Sequence, residues 1–524
     1  MKFHPFRFFL GALVLLAALF TGGCEDFEEL EQNPNRPTSV PASLVFNGIL
    51  NSMYENPWGD TQKYNQFWAS NYNYYGNQEY TWTTTGLNYF TLKNVVKMEE
   101  EAKRYGAKDL NPYAALGKFF RAYFFASMTQ RVGDIPLTDA LKGVENVAPK
   151  YDTQKDVYVQ ILKWLEESNA ELAVLIAARD NSLSGDIYLN NDLSKWQKVV
   201  NAFKMRVLVS LSKKEGDAEL NIRQKFAATV ADPATYPLMT GLEDNLAYRF
   251  NASVNKYPLN PDEFGKTALR NNMTAALLTP LRELRDPRAF AFAEPAPARL
   301  AAGLSPTDYG AFVGARSDEG LDDMSTKVQA GQYSLINRNR YYGSYTGEPT
   351  IQIGYPELCF NLAEGFNRGW AMGSAEEYYR KGTQASQNFY GIKDGPNDVF
   401  FLKKDGKIGE YDKYTVNFSF DAYYAQPTVK YAGNNASGLR QVLTQKYIAF
   451  FQNSGWEAFY NQRRTGIPTF DVGGPGTGGG RNALPLRWQY PENERSTNPA
   501  NYNEAVQRQF GGKDDVDARM WLLQ

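Results

Sequence analysis

Apolar residues recur at steps near 3.6 along much of this chain, and the stretches that carry them come two by two. Between positions 153 and 177, Val157, Ile161, Leu165, Leu172 and Leu175 fall on one helical face. Thr153 with Asp156 three places on reads as the capping box of that helix. Asn111 before Pro112 opens another, with Asn as N-cap and Pro in the first turn, and Leu116, Phe120, Tyr123 and Ser127 line its inner face. Ser374 with Glu377 caps a third, whose stripe is Tyr378, Gly382, Ala385 and Phe389. The pattern predicts four pairs: 88–105 with 112–131, 153–177 with 192–213, 356–368 with 374–390, and 438–453 with 456–464.

The third pair spans 35 residues, close to the 34-residue tetratricopeptide period. Small residues on its faces, Ala363, Gly382 and Ala385, allow helices to approach closely. The fold class expected is therefore all-α, a tetratricopeptide-like scaffold of helix pairs. Stretches 231–265, 292–350 and 392–436 are dense in Gly, Pro, Asn, Asp and Ser, and predict long irregular loops. A short β-hairpin is expected over 400–407, turning at Asp405-Gly406. The organisation expected is a signal peptide at 1–23, an acidic tether at 24–40 and an N-terminal helical part at 41–230. A loop-rich insertion at 231–355 and a C-terminal helical part at 356–524 follow.

The first residues read as an address. Lys2 and Arg7 precede an apolar run of thirteen residues from Phe8 to Phe20, which suits a signal peptide better than a membrane span. Thr21-Gly22-Gly23-Cys24 resembles a bacterial lipobox, with Thr21 where Leu is usual, so Cys24 is expected to carry lipid. Removing 1–23 takes away Lys2, Arg7 and no acid, moving the net charge from −2 to −4. It also removes His4, the single histidine of the chain. The processed protein then has no His for triads, zinc or acid–base work, so neither an enzyme nor a cofactor is expected. The charge balance argues against nucleic acid as a partner. Cys359, on an apolar helix, reads as inert core.

Seven motifs, in order, resemble the SusD/RagB family of outer-membrane lipoproteins. They are Asn33-Pro34-Asn35; RAYFFASMTQRVGDIPLTDA at 121–140; YDTQKDVYVQILKWLEES at 151–168; and KWQKVVNAFKMRVLVSLS at 195–212. Then come Tyr355-Pro356-Glu357 with Ala363-Glu364, VLTQKYIAFFQNSGWEAFYNQRRTGIP at 442–468, and LPLRWQYPENERSTNPANYNEAV at 484–506. Pro356 stands where the family usually has Ala, and Arg519-Met520-Trp521 replaces a commoner paired Trp. The acidic run Glu25-Asp26-Phe27-Glu28-Glu29 resembles the surface-export signal of Bacteroidetes lipoproteins. The resemblance implies a lipid-anchored outer-membrane protein facing the cell surface. It would capture oligosaccharide, or in some relatives oligopeptide, and deliver it to a TonB-dependent SusC-like transporter. A surface glycoside hydrolase is the remaining alternative.

The densest aromatic region, 54–90, interleaves Tyr and Trp with Asn and Gln. Sugar C–H faces stack on rings and sugar hydroxyls need amide or guanidinium partners, so Asn71, Tyr72, Asn73, Tyr74, Tyr75 and Trp82 are expected to contact ligand from an exposed loop. Arg338, Tyr341 and Tyr342 form a second candidate in the loop before position 355. Glu357 and Glu364, seven apart on one helix face, have the spacing of a catalytic pair but read better as interhelical hydrogen bonding. Arg463-Arg464 reads as a helix-end anchor for internal acids, and 473–480 as a glycine-rich loop without P-loop features. The calcium-loop pattern starting at Asp180 places Asn191 where Glu is required, so no metal site is expected.

Overall fold

The computed structural model describes residues 39–72, 78–478 and 481–524. The signal peptide, Cys24 and nearly all of the tether lie outside the described residues, as do Asn73, Tyr74 and Tyr75. Among the described residues no helix is long and apolar enough to cross a membrane.

All four expected helix pairs are present. They comprise α1 (Tyr89–Arg104) with α2 (Pro112–Val132), α3 (Gln154–Ala177) with α4 (Leu193–Ser210), α5 (Tyr355–Asn367) with α6 (Ala375–Phe389), and α7 (Ala436–Ala449) with α8 (Glu457–Thr465). The caps read from sequence make their bonds. The side chains of Asn111, Thr153 and Ser374 accept from the backbone N–H of Ala114, Asp156 and Glu377 at 3.0, 3.1 and 3.1 Å. Each such cap contributes about 1 kcal/mol.

Successive helices α1 to α4 pack each on the next, and α5 packs on α4, α6 and α7, joining the two halves. Gly382 allows the α5–α6 approach, since a Cβ there would lie 2.9 Å from the Phe360 ring. One hydrophobic cluster runs from Ala42 to Leu522 through all three stretches expected from sequence. The fold is thus the expected all-α, tetratricopeptide-like scaffold.

The strands are few and paired two by two: β1 (Trp68–Ser70), β2 (Leu246–Tyr248), β3 (Asn271–Met273), β4 (Thr350–Ile353), β5 (Gly395–Leu402) and β6 (Tyr411–Phe418). Antiparallel pairs form between β1 and β3, β2 and β4, and β5 and β6. The hairpin is longer than the 400–407 expected, because its strands extend eight residues each from Gly395 to Phe418. The expected span holds the end of β5, Phe400–Leu402, and the turn, with Asp405 at φ 58°. Stretch 231–355 is also more ordered than a loop-rich insertion. It holds Ala275–Glu283 and Leu321–Gln329 as helices, besides β2, β3 and β4.

The last forty residues close the molecule. Trp488 N–H donates to Arg131 O, Gln489 N–H to Trp82 O and the Tyr490 hydroxyl to Asp134 O, at 2.9, 3.0 and 2.7 Å. Leu522 N–H reaches the Gln154 side chain at 2.9 Å.

Candidate functional site

Strand β1 leads to Asn71 and Tyr72, and β3 with the residues just before it holds Asn71 in place. Beyond β1, Asn71 N–H donates to Arg270 O at 3.0 Å, and the Asn71 side-chain N–H₂ donates to Leu269 O at 3.0 Å and to Asn272 Oδ1 at 3.2 Å. Tyr72 N–H is taken by Ser70 Oγ at 3.3 Å. Tyr72 itself is 44 % exposed, and the Arg270 guanidinium lies 4.1 Å from its ring centre. Gln78 resumes the chain with its Oε1 accepting from Ser70 N–H at 3.4 Å. Here four buried polar atoms have no hydrogen-bond partner among the described residues: Trp68 Nε1, Asn71 Oδ1, Gln78 Nε2 and Asn272 Nδ2. Buried donors and acceptors are normally satisfied, so this concentration marks unused polar capacity.

The structure corrects the other expected contacts. Trp82 was expected on an exposed loop, but it is 5 % exposed and stacks on Trp488 with ring centres 3.8 Å apart and planes 10° apart. Tyr64, Tyr80, Trp456 and Phe459 surround it. Gln78, Tyr80 and Trp82 are buried while Thr81 and Thr83 are exposed, so this segment lies along the surface with the Trp82 ring turned inward.

Arg338, Tyr341 and Tyr342 also point inward, on the short helix Arg338–Tyr342 capped by Asn337. Arg338 forks onto Glu294 Oε2 at 2.5 Å. Tyr341 is fully buried with its edge against Trp58, 4.9 Å between centres, and the Tyr342 hydroxyl meets Thr267 Oγ1 at 2.7 Å. A five-residue helix has only one face for solvent, and the core takes both tyrosines. Of the expected contacts that are described, Tyr72 alone stands at a surface edge, with Asn71 buried beneath it. Arg270, which sequence reasoning missed, joins them because β3 pairs with β1 across some two hundred positions, and no local pattern announces that pairing.

The charged residues of α5 and α8 form a buried network. Arg206 forks onto Glu357 at 2.6 and 2.5 Å, and Arg464 forks onto Glu364 at 2.5 and 2.9 Å. Burial pushes the Glu364 carboxyl up, but Arg464, Arg368 and Lys446 outweigh it and hold it at about 2. Burial lowers the Lys446 ammonium to about 8 and raises the Glu457 carboxyl. The cavity between Tyr158, Arg206, Glu457 and Tyr460 holds about 50 Å³, room for a few waters and not for a sugar ring. Burial also pushes the Cys359 thiol up to about 12, as suits an inert core residue.

The fold defines an all-α protein of the tetratricopeptide-like, helix-pair class. The chain belongs to the SusD-like family described as starch-binding and associating with the outer membrane, which it matches over residues 34–491. Among solved structures it is similar to a SusD homologue from Bacteroides fragilis NCTC 9343 at 31 % identity and TM-score 0.80, covering 93 % of this chain and 100 % of that one. An outer membrane protein assigned to nutrient binding from Bacteroides vulgatus ATCC 8482 matches at 30 % identity and TM-score 0.77, with the same coverage. A chitin-binding SusD homologue from Flavobacterium johnsoniae shares the fold at 20 % identity and TM-score 0.67, over 92 % of this chain and 98 % of that one. Comparison with curated proteins gives no match.

Proposed function

We propose that this protein is a lipid-anchored, surface-facing lipoprotein that captures oligosaccharide and hands it to a TonB-dependent SusC-like transporter, without altering the sugar. The observation that carries the reading is the Tyr72–Arg270 edge, which the Asn- and Tyr-rich residues 73–77 follow in sequence. The ring offers an apolar face for sugar C–H groups, while the guanidinium and amides meet hydroxyls. The family match and the chitin-binding relative support glycan over other cargo. Binding without catalysis is supported by Glu357 and Glu364, whose carboxylates are locked onto arginines rather than aimed at a cleft.

Titrating the full-length protein in detergent with maltohexaose and chitohexaose tests this. Tyr72→Ala should weaken binding about tenfold, the effect of losing on the order of 1.4 kcal/mol. Its melting temperature should barely move, since a site outside the core shifts stability within about 0.5 kcal/mol. Unaltered affinity would move the binding edge elsewhere, and new reducing ends on prolonged incubation would make the protein a hydrolase.

Anchoring is tested apart from binding. Cys24→Ala should release the protein into the soluble fraction, because one acyl chain holds a protein marginally and several hold it firmly. Recovery of the variant in salt-washed membranes would sink the anchor assignment.

A further inference from the structure

The β5–β6 hairpin does not lie flat on the scaffold. Along its strands Val399, Val416 and Phe418 are half-buried, alternating with exposed Asp398, Thr415 and Asn417. The half-buried side faces a groove of about 340 Å³ floored by Phe290, Tyr390 and Ile392. That volume falls at the lower end of small-molecule sites.

Polar groups in this groove are sorted by how they are held. The Asn337 side chain donates to Phe290 O at 2.9 Å and to Phe400 O at 3.4 Å, bridging floor and hairpin. Arg340 is pinned by Glu348 at 2.5 Å and donates to Tyr390 O at 2.9 Å. Asp398 is engaged by Lys413 and Thr415 across the hairpin. The half-buried Asn339 side chain makes no hydrogen bond to any described residue, and Lys393 stands exposed at the mouth. The groove thus offers rings and branched aliphatic groups below, an unengaged amide and an amine at the rim, and no carboxylate that lacks a cation.

The short helix Arg338–Tyr342 separates this groove from the Tyr72 edge. Its Tyr342 faces Thr267 and Phe264, on the side of Arg270, while Asn339 and Arg340 line the groove.

From this placement we propose that the hairpin groove is a second saccharide subsite. It seats a neutral pyranose against Phe418 and Val399, with the Asn339 amide on a ring hydroxyl. The proposal rests on the glycan reading of the preceding section. A polar rim over an apolar floor suits a ring with one C–H face and one hydroxyl edge better than an acyl chain, which leaves the amide and amine unmatched.

Ala291 lines the groove on the scaffold side and Val416 on the hairpin side. Ala291→Trp and, separately, Val416→Trp fill it with an indole and leave the Tyr72 edge unaltered. Full-length protein in detergent is titrated calorimetrically with maltohexaose and chitohexaose, alongside Tyr72→Ala and Asn339→Ala, with melting followed in parallel. The expected result is that each folded filling variant binds the better hexasaccharide at least fivefold more weakly or loses one of two binding events. Asn339→Ala should weaken it about threefold. Wild-type isotherms in the folded filling variants and in Asn339→Ala overturn the subsite, even when Tyr72→Ala weakens binding. Weakening by the filling variants with no effect of Tyr72→Ala keeps the subsite and removes the Tyr72 edge. No binding of either hexasaccharide by the wild-type protein overturns both.

Discussion

Arg464→Leu is expected to cost about 3–5 kcal/mol of folding stability, the range for breaking a buried ion pair by removing one partner. Glu364 is fully buried, and Arg464 supplies both of the parallel bonds to it. Arg368 also reaches Glu364 at 2.9 Å, which places the loss toward the lower end. Guanidinium unfolding checks it, and a loss below 1 kcal/mol would mean that the network is ornamental. Adding Glu364→Gln to Arg464→Leu should recover part of the loss, because the stranded charge is then gone.

The same carboxylate sets an acid limb. Its folded pKa of about 2 lies below the ordinary 4.5, so its contribution is complete above about 4.5 and vanishes as pH falls toward 2. At about 1.4 kcal/mol per unit, the contribution is on the order of 3 kcal/mol. The wild-type stability curve should therefore drop over that window, and the Arg464→Leu curve should drop less.

Trp82→Ala is the second large effect. Removing a buried aromatic side chain costs about 3–5 kcal/mol, and here it also unstacks Trp488 from the N-terminal half. The melting temperature should fall by several degrees. At a temperature where the variant is still folded, hexasaccharide affinity should stay within about twofold of wild type. A variant that melts normally but binds poorly would return Trp82 to the ligand surface. Together with Tyr72→Ala it separates two aromatic residues that look alike in sequence and differ in burial.

Much of the scaffold was legible because its determinants are local. An N-cap and a stripe at 3.6 spacing lie within one helix, which is why Asn111, Thr153 and Ser374 cap helices where expected. The hairpin was legible at its turn, through Asp405-Gly406, and less so along its strands, where Gly395-Pro396-Asn397 opens β5 with turn-forming residues. The proposed binding edge was legible only in part. Composition located the aromatic region, but whether Tyr72 or Trp82 meets solvent depends on contacts with Arg270 and Trp488, far away in the chain. Tyr341 and Tyr342 misled for the same reason, since tyrosine suits a ligand surface and a core with equal ease.

The closure of the helical half by residues 487–523 has a consequence for how the protein comes into being. Trp82 lacks its stacking partner, Val132 its Arg487 donor and Gln154 its Leu522 donor until the final stretch is in place. The N-terminal half cannot complete its interior while synthesis is under way. Sealing of the first-made helices thus waits on the last-made residues, and a truncation near the end would leave Trp82, Val132 and Gln154 without these partners.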